Sequence, residues 1–234
     1  MTEIIFNNLN SYKDMDIVVE QISIQPPSKK KIKESVPFMN GTYDFSTVGS
    51  NGEIVYEERT IKIRFNFVES NRSILYAKYT KVMEWLLGTG QQQLIFIDMP
   101  DCYFLAEVEK APSFEELYTR VGILEVEFIA YPFRQGVNLV GQEYWDTFNF
   151  EFDYMQDSEF DIPGSLTTKI HNPGRIIVPI VNCSSSMTVS INGYTASFVS
   201  GNNKDWRFKL NQGENNVTIN GTGHIKFIFR KEML

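Results

Sequence analysis

Chemistry-bearing residues are scarce in this chain. Only 2 Cys and 2 His occur among 234 residues, too few for a disulfide framework and little material for a zinc site or a catalytic triad. Cys102 and Cys183 are therefore expected to be inert thiols in a reducing compartment. No P-loop, no G-x-G-x-x-G after a strand and no G-x-S-x-G, H-E-x-x-H or C-x-x-C is present. No apolar run approaches the roughly 20 residues that cross a bilayer, so membrane insertion is not expected. The first sixteen residues hold no basic segment leading into an apolar stretch, and a secretory signal is not expected either. Positive charge is also short: 22 Lys and Arg stand against 29 Asp and Glu, a net charge of −7. General nucleic-acid binding needs a basic face that displaces counterions, and this balance argues against it.

Apolar and aromatic residues are plentiful. Hydrophobic residues make up 42% and aromatic residues 14%, with 18 Phe and 11 Tyr, so the chain can bury a core and is not disordered as a whole. Its charge is unevenly spread. Residues 1–138 hold 14 basic and 19 acidic residues, net −5. From 139 to 164 there are 7 acids (Glu143, Asp146, Glu151, Asp153, Asp157, Glu159 and Asp161) and no base. Residues 165–234 hold 8 basic and 3 acidic residues, net +5. These reversals are a candidate boundary marker, equally open to two faces of one domain, and the division expected is an N-terminal domain (1–138), an acidic bridge (139–164) and a C-terminal domain (165–234).

The N-terminal part reads as strands interrupted by one helix. Between 60 and 67, Ile61, Ile63, Phe65 and Phe67 alternate with Thr60, Lys62, Arg64 and Asn66, the period of a strand buried on one face. Similar stretches lie at 16–24, 93–98, 103–109 and 122–131. Between 71 and 87, Leu75, Tyr79, Val82, Met83 and Leu86 recur at steps of three and four and share one helical face. Ser70 or Asn71 suits its N-cap, and Gly88 suits a left-handed residue at its end.

The C-terminal part is rich in turn dipeptides: Asn192-Gly193, Gly201-Asn202-Asn203, Gln212-Gly213 and Asn220-Gly221-Thr222-Gly223. Short strands are expected between them at 175–180, 187–191, 194–199, 206–210, 216–219 and 225–230, a spacing that suggests a β-sandwich or jelly roll. Phe148, Phe150, Phe152 and Tyr154 alternate with polar residues, so the bridge is expected to be part strand.

Few residues suggest a site. Asp98 and Asp101 flank Met99-Pro100, a spacing open to a cation or a carboxylate pair, although Asp-x-Pro-Asp between strands is ordinary turn chemistry. His171 and His224 read as loop histidines, and Ser184-Ser185-Ser186 as a loop. Lys29, Lys30, Lys31 and Lys33 form a basic run after Pro26-Pro27, able to touch phosphate or an acidic partner surface, or to stand in solvent. Tyr194, Trp206 and Trp145, with the many Asn residues, supply parts of the kind that meet a sugar, although aromatics in strands more often belong to a core. A hydrolase is disfavoured by the poverty in His and motifs.

An ordered set of short motifs resembles a known family. It runs Gly41-Thr42-Tyr43-Asp44-Phe45, then Tyr56-Glu57-Glu58-Arg59-Thr60-Ile61, then a helix end Glu84-Trp85-Leu86-Leu87-Gly88. Asp98-Met99-Pro100-Asp101-Cys102-Tyr103-Phe104 and Val126-Glu127-Phe128 with Ala130-Tyr131-Pro132-Phe133 complete it. Asn172-Pro173-Gly174 followed by Pro179-Ile180, and Leu210 with Gly213 and Asn215, extend the likeness into the C-terminal part. The succession resembles the distal tail (Dit) proteins of long-tailed, non-contractile bacteriophages. One departure is the aromatic pair after Asp101, shifted here to Tyr103-Phe104.

The resemblance implies a mainly β fold: an N-terminal β-sandwich or split barrel with one flanking α-helix, and a C-terminal galectin-like or jelly-roll β-sandwich. It also implies a structural, non-enzymatic protein without cofactor. Six copies would close a ring at the virion tail tip, joining the tail tube protein to the baseplate hub and, through it, a receptor-binding protein. Assembly would take place in the host cytoplasm, and genome DNA would pass the ring without specific binding. The compact C-terminal part leaves little room for an inserted receptor-binding module. The competing reading is a carbohydrate-binding module for a bacterial cell-wall sugar, with Tyr194 and Trp206 as its contacts.

Overall fold

The structure, a computed structural model, describes residues 2–50, 52–142 and 144–234; Glu143, one of the bridge acids, lies outside the described residues. Two units emerge from the packing. The first comprises Met1–Met99, Tyr103–Arg134 and Leu234, and the second Pro100–Cys102 and Gln135–Met233. The fold is mainly β, with a single α-helix among the described residues.

Alternation builds the first unit. Its long strands are β6 (Arg59–Val68) and β10 (Val121–Ala130), paired antiparallel along their whole length. Ile61, Ile63, Phe65 and Phe67 of β6 are buried, as are Leu124, Val126, Phe128 and Ala130 of β10. Around them lie β1 (Ile4–Phe6), β2 (Leu9–Asn10), β3 (Val18–Ile24), β7 (Gln92–Phe96), β8 (Cys102–Glu107) and β9 (Ser113–Tyr118). The sheet order is β2-β1-β7-β8-β10-β6-β3, and β9 pairs with the first half of β10. A separate ribbon of β4 (Lys33–Glu34) and β5 (Tyr43–Asp44) stands apart from this sheet.

The helix α1 (Arg72–Leu87) starts where Asn71 Oδ1 accepts a hydrogen bond from Ile74 N at 3.0 Å. It buries Leu75, Val82, Trp85 and Leu86. Trp85 is the helix residue that the periodicity missed: it is 4% exposed and its Nε1 donates to the Phe6 carbonyl at 2.9 Å. Phe6 meets both Trp85 and Phe128 edge-on, with centroids 6.1 and 5.2 Å apart. Each such ring contributes about 1.5–3 kcal/mol by leaving water. The expected left-handed end is corrected. Gly88 has φ −75°, and it is the Glu84 carbonyl, 2.4 Å from where a Cβ would lie, that favours glycine there.

The second unit has β11 (Arg134–Gly136) paired with β18 (Glu232–Met233), and one six-stranded antiparallel sheet. Its strands are β12 (Glu159–Asn172), β13 (Ile180–Cys183), β14 (Met187–Ile191), β15 (Tyr194–Phe198), β16 (Gly201–Asn203) and β17 (Gly213–Ile228). Asn192-Gly193 makes the expected tight turn, with φ of 50° and 80°.

Several local expectations fail for identifiable reasons. Asn220-Gly221-Thr222-Gly223 is not a turn but the bend of β17. That strand pairs with β14 through 217–220 and with β13 through 225–228. Gly221 and Gly223 take φ of 148° and 132°, and a Cβ would lie 2.7 Å from Met187 Cγ at the first and 2.4 Å from Ser184 Oγ at the second. Glycine thus lets one strand turn a corner between two neighbours. Gly201-Asn202-Asn203, expected as a turn, is strand β16. The stretches 175–179 and 206–210 form no strands beyond an isolated bridge, Ile177 to Leu210, and Ile180 opens β13. Residues 148–154 form none either: they follow a short 3-10 turn, Trp145–Thr147, and Phe150 is 79% exposed. Pro163-Gly164 and His171 lie inside β12, and His224 inside β17.

Candidate functional site

From Glu20 to Glu58 no described residue is buried. The chain leaves the sheet after β3 and returns at Arg59 as a long paired arm. Lys29 bridges Tyr56, Lys30 N donates to the Val55 carbonyl (2.9 Å), and Glu57 N to that of Ser28 (2.8 Å). Further out, Phe45 N donates to the Ile32 carbonyl (2.8 Å), and β4 pairs with β5. The arm pairs part of its backbone with itself yet buries no side chain. Ile32, Val36, Tyr43, Phe45 and Val48 stand in solvent, and Phe38 is fully exposed at a φ of 66°.

Lys29, Lys30, Lys31 and Lys33 all lie on this arm. Lys31 Nζ pairs with Asp44 Oδ2 at 2.8 Å, both ends being exposed. That bond, with help from Ser46, holds the Asp44 carboxyl well below the usual carboxylate range. The run is one rail of a hairpin: Lys29 pairs with Tyr56, Lys30 with Val55 and Lys33 with Asp44.

At the root of the arm the motif residues converge. Arg59 is 5% exposed, and its Nε donates to the Pro132 carbonyl at 2.9 Å. Its guanidinium lies over the Phe104 ring, 5.1 Å from the centroid. Tyr56 meets Phe133 edge-on at 5.5 Å. Burial, and to a lesser degree the positive charge of Arg134, pulls the Arg59 pKa down. Arg59 Nη2 has no acceptor among the described residues. A cleft of about 440 Å³ is lined by Ile24, Pro26, Pro27, Lys29, Tyr56 and Arg59, with Leu234 completing it.

In the second unit Tyr194 and Trp206 are brought together, although the expected strand at 206–210 is a turn. Tyr194 Oη donates to Asp205 Oδ2 at 2.5 Å. The Arg207 guanidinium lies over both Tyr194 (5.1 Å) and Trp206 (5.8 Å). Hydrogen bonding to the Asp205 carboxylate pushes the Tyr194 phenol up and the Asp205 carboxyl down.

Asp101, a turn residue in the sequence reading, belongs to a buried ion cluster that no spacing announced. Lys231 Nζ lies 2.5 Å from Asp153 Oδ1 and 3.3 Å from Asp101 Oδ2, with the three side chains 5%, 9% and 13% exposed. Asn149 completes it, its Nδ2 donating to Asp101 Oδ2 (3.3 Å) and its N to Asp153 Oδ2 (2.8 Å). The cluster ties down a loop that presents Trp145, Phe148 and Phe150 in mutual ring contact. His171 stacks on Tyr154, and exposed His224 pairs with Asp161 at 2.9 Å. Among the described residues no group of His, Cys, Asp and Glu could hold a metal ion. Both cysteines are buried, and burial pushes the Cys183 thiol pKa up. Among the described residues no helix is long and apolar enough to cross a membrane.

A family model described as the phage tail protein RIFT-related domain matches residues 1–130. No curated protein matches the chain. Among solved structures, the Dit protein (gp 19.1) of phage SPP1 aligns over 100% of both chains with a TM-score of 0.69 and 10% identity. That protein is described as a paradigm of the hub adsorption apparatus in phages that infect Gram-positive bacteria. At this identity the likeness is one of fold.

Proposed function

The chain belongs to the phage tail protein family of the RIFT-related domain, a structural tail component, and from that membership we propose that it is the distal tail protein of its phage. Six copies close a ring through residues 1–138, joining the tail tube protein to the baseplate hub and, beyond it, a receptor-binding protein. The protein carries no catalytic role, and it assembles in the host cytoplasm. The second unit is read as a galectin-like sandwich projecting from the ring.

The observation that supports this reading is the arm. A closed ring needs heterologous contacts, each subunit offering two different surfaces. A backbone-paired hairpin with a row of exposed Ile, Val, Phe and Tyr side chains is costly in water and suited to lie across a neighbour. The net charge of −5 on residues 1–138 suits a lumen that repels passing DNA within a Debye length of about 8 Å.

Native mass spectrometry of the full chain tests the reading. A species near six times 27.0 kDa is expected, and it should be lost when residues 29–55 are replaced by a short Gly-Ser link. Rings that persist without the arm would remove it from the interface. The assembled ring should not retain duplex DNA at physiological salt; tight, salt-sensitive retention would contradict the acidic lumen.

A second reading is supported by the turn at Asp205, Trp206 and Arg207. An exposed indole beside a carboxylate, a guanidinium and the Tyr194 ring offers the parts of a sugar site. A glycan array probed with the full chain and with Trp206→Ala decides it: cell-wall sugar signals that vanish in the variant support this reading, and a blank array removes it.

A further inference from the structure

The arm's root holds a buried cation without an anion. The Arg59 guanidinium spends its Nε on a neutral carbonyl and one face on Phe104. No Asp or Glu pairs with it among the described residues, and Nη2 stays without an acceptor. A charge taken out of water is strongly disfavoured unless an opposite charge or hydrogen bonds replace the solvent. Arg59 meets that condition only in part, and Arg134 adds like charge nearby. The cleft walled by Arg59 also carries Lys29, and Ile24, Pro26, Pro27, the Tyr56 ring and Leu234 line the rest of it. Its volume of about 440 Å³ falls in the range of small-ligand sites.

We propose that this cleft binds a carboxylate carried on a short aliphatic stem. The planar guanidinium fork matches a carboxylate, Lys29 adds a second positive charge, and the prolines and Ile24 receive the stem. The motif Tyr56-x-x-Arg59 then does more than pack: it forms the recognition wall at the point where the arm leaves the sheet. The ligand is either a free aliphatic acid or a Glu side chain on another protein segment, and the chemistry of the cleft is the same for both. The inference does not depend on ring formation.

The test titrates the full chain, labelled for NMR, with pentanoate, with N-acetyl-Leu-Glu-Leu-amide and with inorganic phosphate, against sodium chloride at equal ionic strength. Saturable shifts of the Arg59 side-chain N–H and of the Ile24, Lys29 and Tyr56 amides are expected with the carboxylates. Lys29→Met should weaken binding at least about threefold, since its ammonium is exposed. Arg59→Lys, which keeps the charge and loses the fork, should weaken it about tenfold or more. If Arg59→Lys fails to fold, the exposed Lys29→Met and the residue-resolved shifts carry the test. Tighter binding of the peptide than of pentanoate supports a protein segment as the natural source, and the reverse supports a free acid. Shifts equal to those in chloride, shifts elsewhere on the molecule, or phosphate binding without carboxylate binding would overturn the proposal. So would an affinity unchanged by both substitutions.

Discussion

Arg59 and Lys231 are both cations at 4–5% exposure, and they are solved in opposite ways. Lys231 in the second unit has two carboxylates and an asparagine arranged around it, so its charge is matched within the fold. Arg59 in the first unit has a carbonyl, a ring face and a cleft. A matched buried cation fixes a local structure, whereas an unmatched one marks a place where something from outside completes the structure. The same contrast divides the long strands from the arm: β6 and β10 pair their backbones and bury their rings, and the arm pairs its backbone while leaving its rings in water.

Breaking the matched site should have the largest effect. Lys231→Met strands two buried carboxylates and is expected to cost about 3–5 kcal/mol, read as a lower urea midpoint at unchanged slope. Adding Asp153→Leu should recover part of that loss, because one stranded charge goes with it. Arg59→Met comes next, at about 1–2 kcal/mol, since packing over Phe104 is largely kept and an unmatched charge is removed. A loss as large as that of Lys231→Met would mean that Arg59 already has its anion, and the comparison would fail.

Glu232 sharpens the contrast from the acidic side. Its carboxyl is raised by burial despite a 3.0 Å hydrogen bond from Gln135 Nε2. A folded state that holds the proton more tightly loses stability as pH rises from the ordinary value of 4.5 through the raised one. Glu232→Gln should therefore equal the parent in acid and become the more stable of the two above that window; lower stability at neutral pH would contradict it. The smallest effect is expected from Lys31→Ala. Its ion pair with Asp44 is open to solvent at both ends, so the melting temperature should stay within scatter. A drop of several degrees would show that the arm is held more firmly than its exposure indicates.

Where neighbours in sequence decide the structure, the sequence was readable. The alternation of Ile61, Ile63, Phe65 and Phe67 gave a strand and its buried face, Asn71 gave the helix start, and Asn192-Gly193 gave a hairpin turn. The short motifs also pointed to the tail family that the match over residues 1–130 identifies. Where partners are distant, it was not. Lys231 finds Asp153 and Asp101 across 78 and 130 residues, and nothing local marks any of them. Gly221 and Gly223 carry turn chemistry but are used to bend a strand, because their meaning depends on Met187 and Ser184 packed against them. Trp85 lies at the edge of the helical stripe, and its burial depends on distant partners: the Phe6 and Phe65 rings and the Phe6 carbonyl. Arg59 is legible as part of a motif, while its lack of a counterion depends on which distant residues the fold brings to it.

The pairing of β12 with β17 has a mechanical consequence. The two strands run antiparallel over 14 partners, from Glu159 opposite Lys226 to Asn172 opposite Gly213. The chain enters β12 and leaves β17 at the same end of that ribbon. Tension between those two points would open the pairs one after another, like a zipper, instead of loading all of them together. Lys231 and Asp153, just beyond the two strand ends, add an ion pair at the mouth of that zipper, alongside the pairing of β17 with β13 over 225–228, so the first step of opening is the one most firmly held.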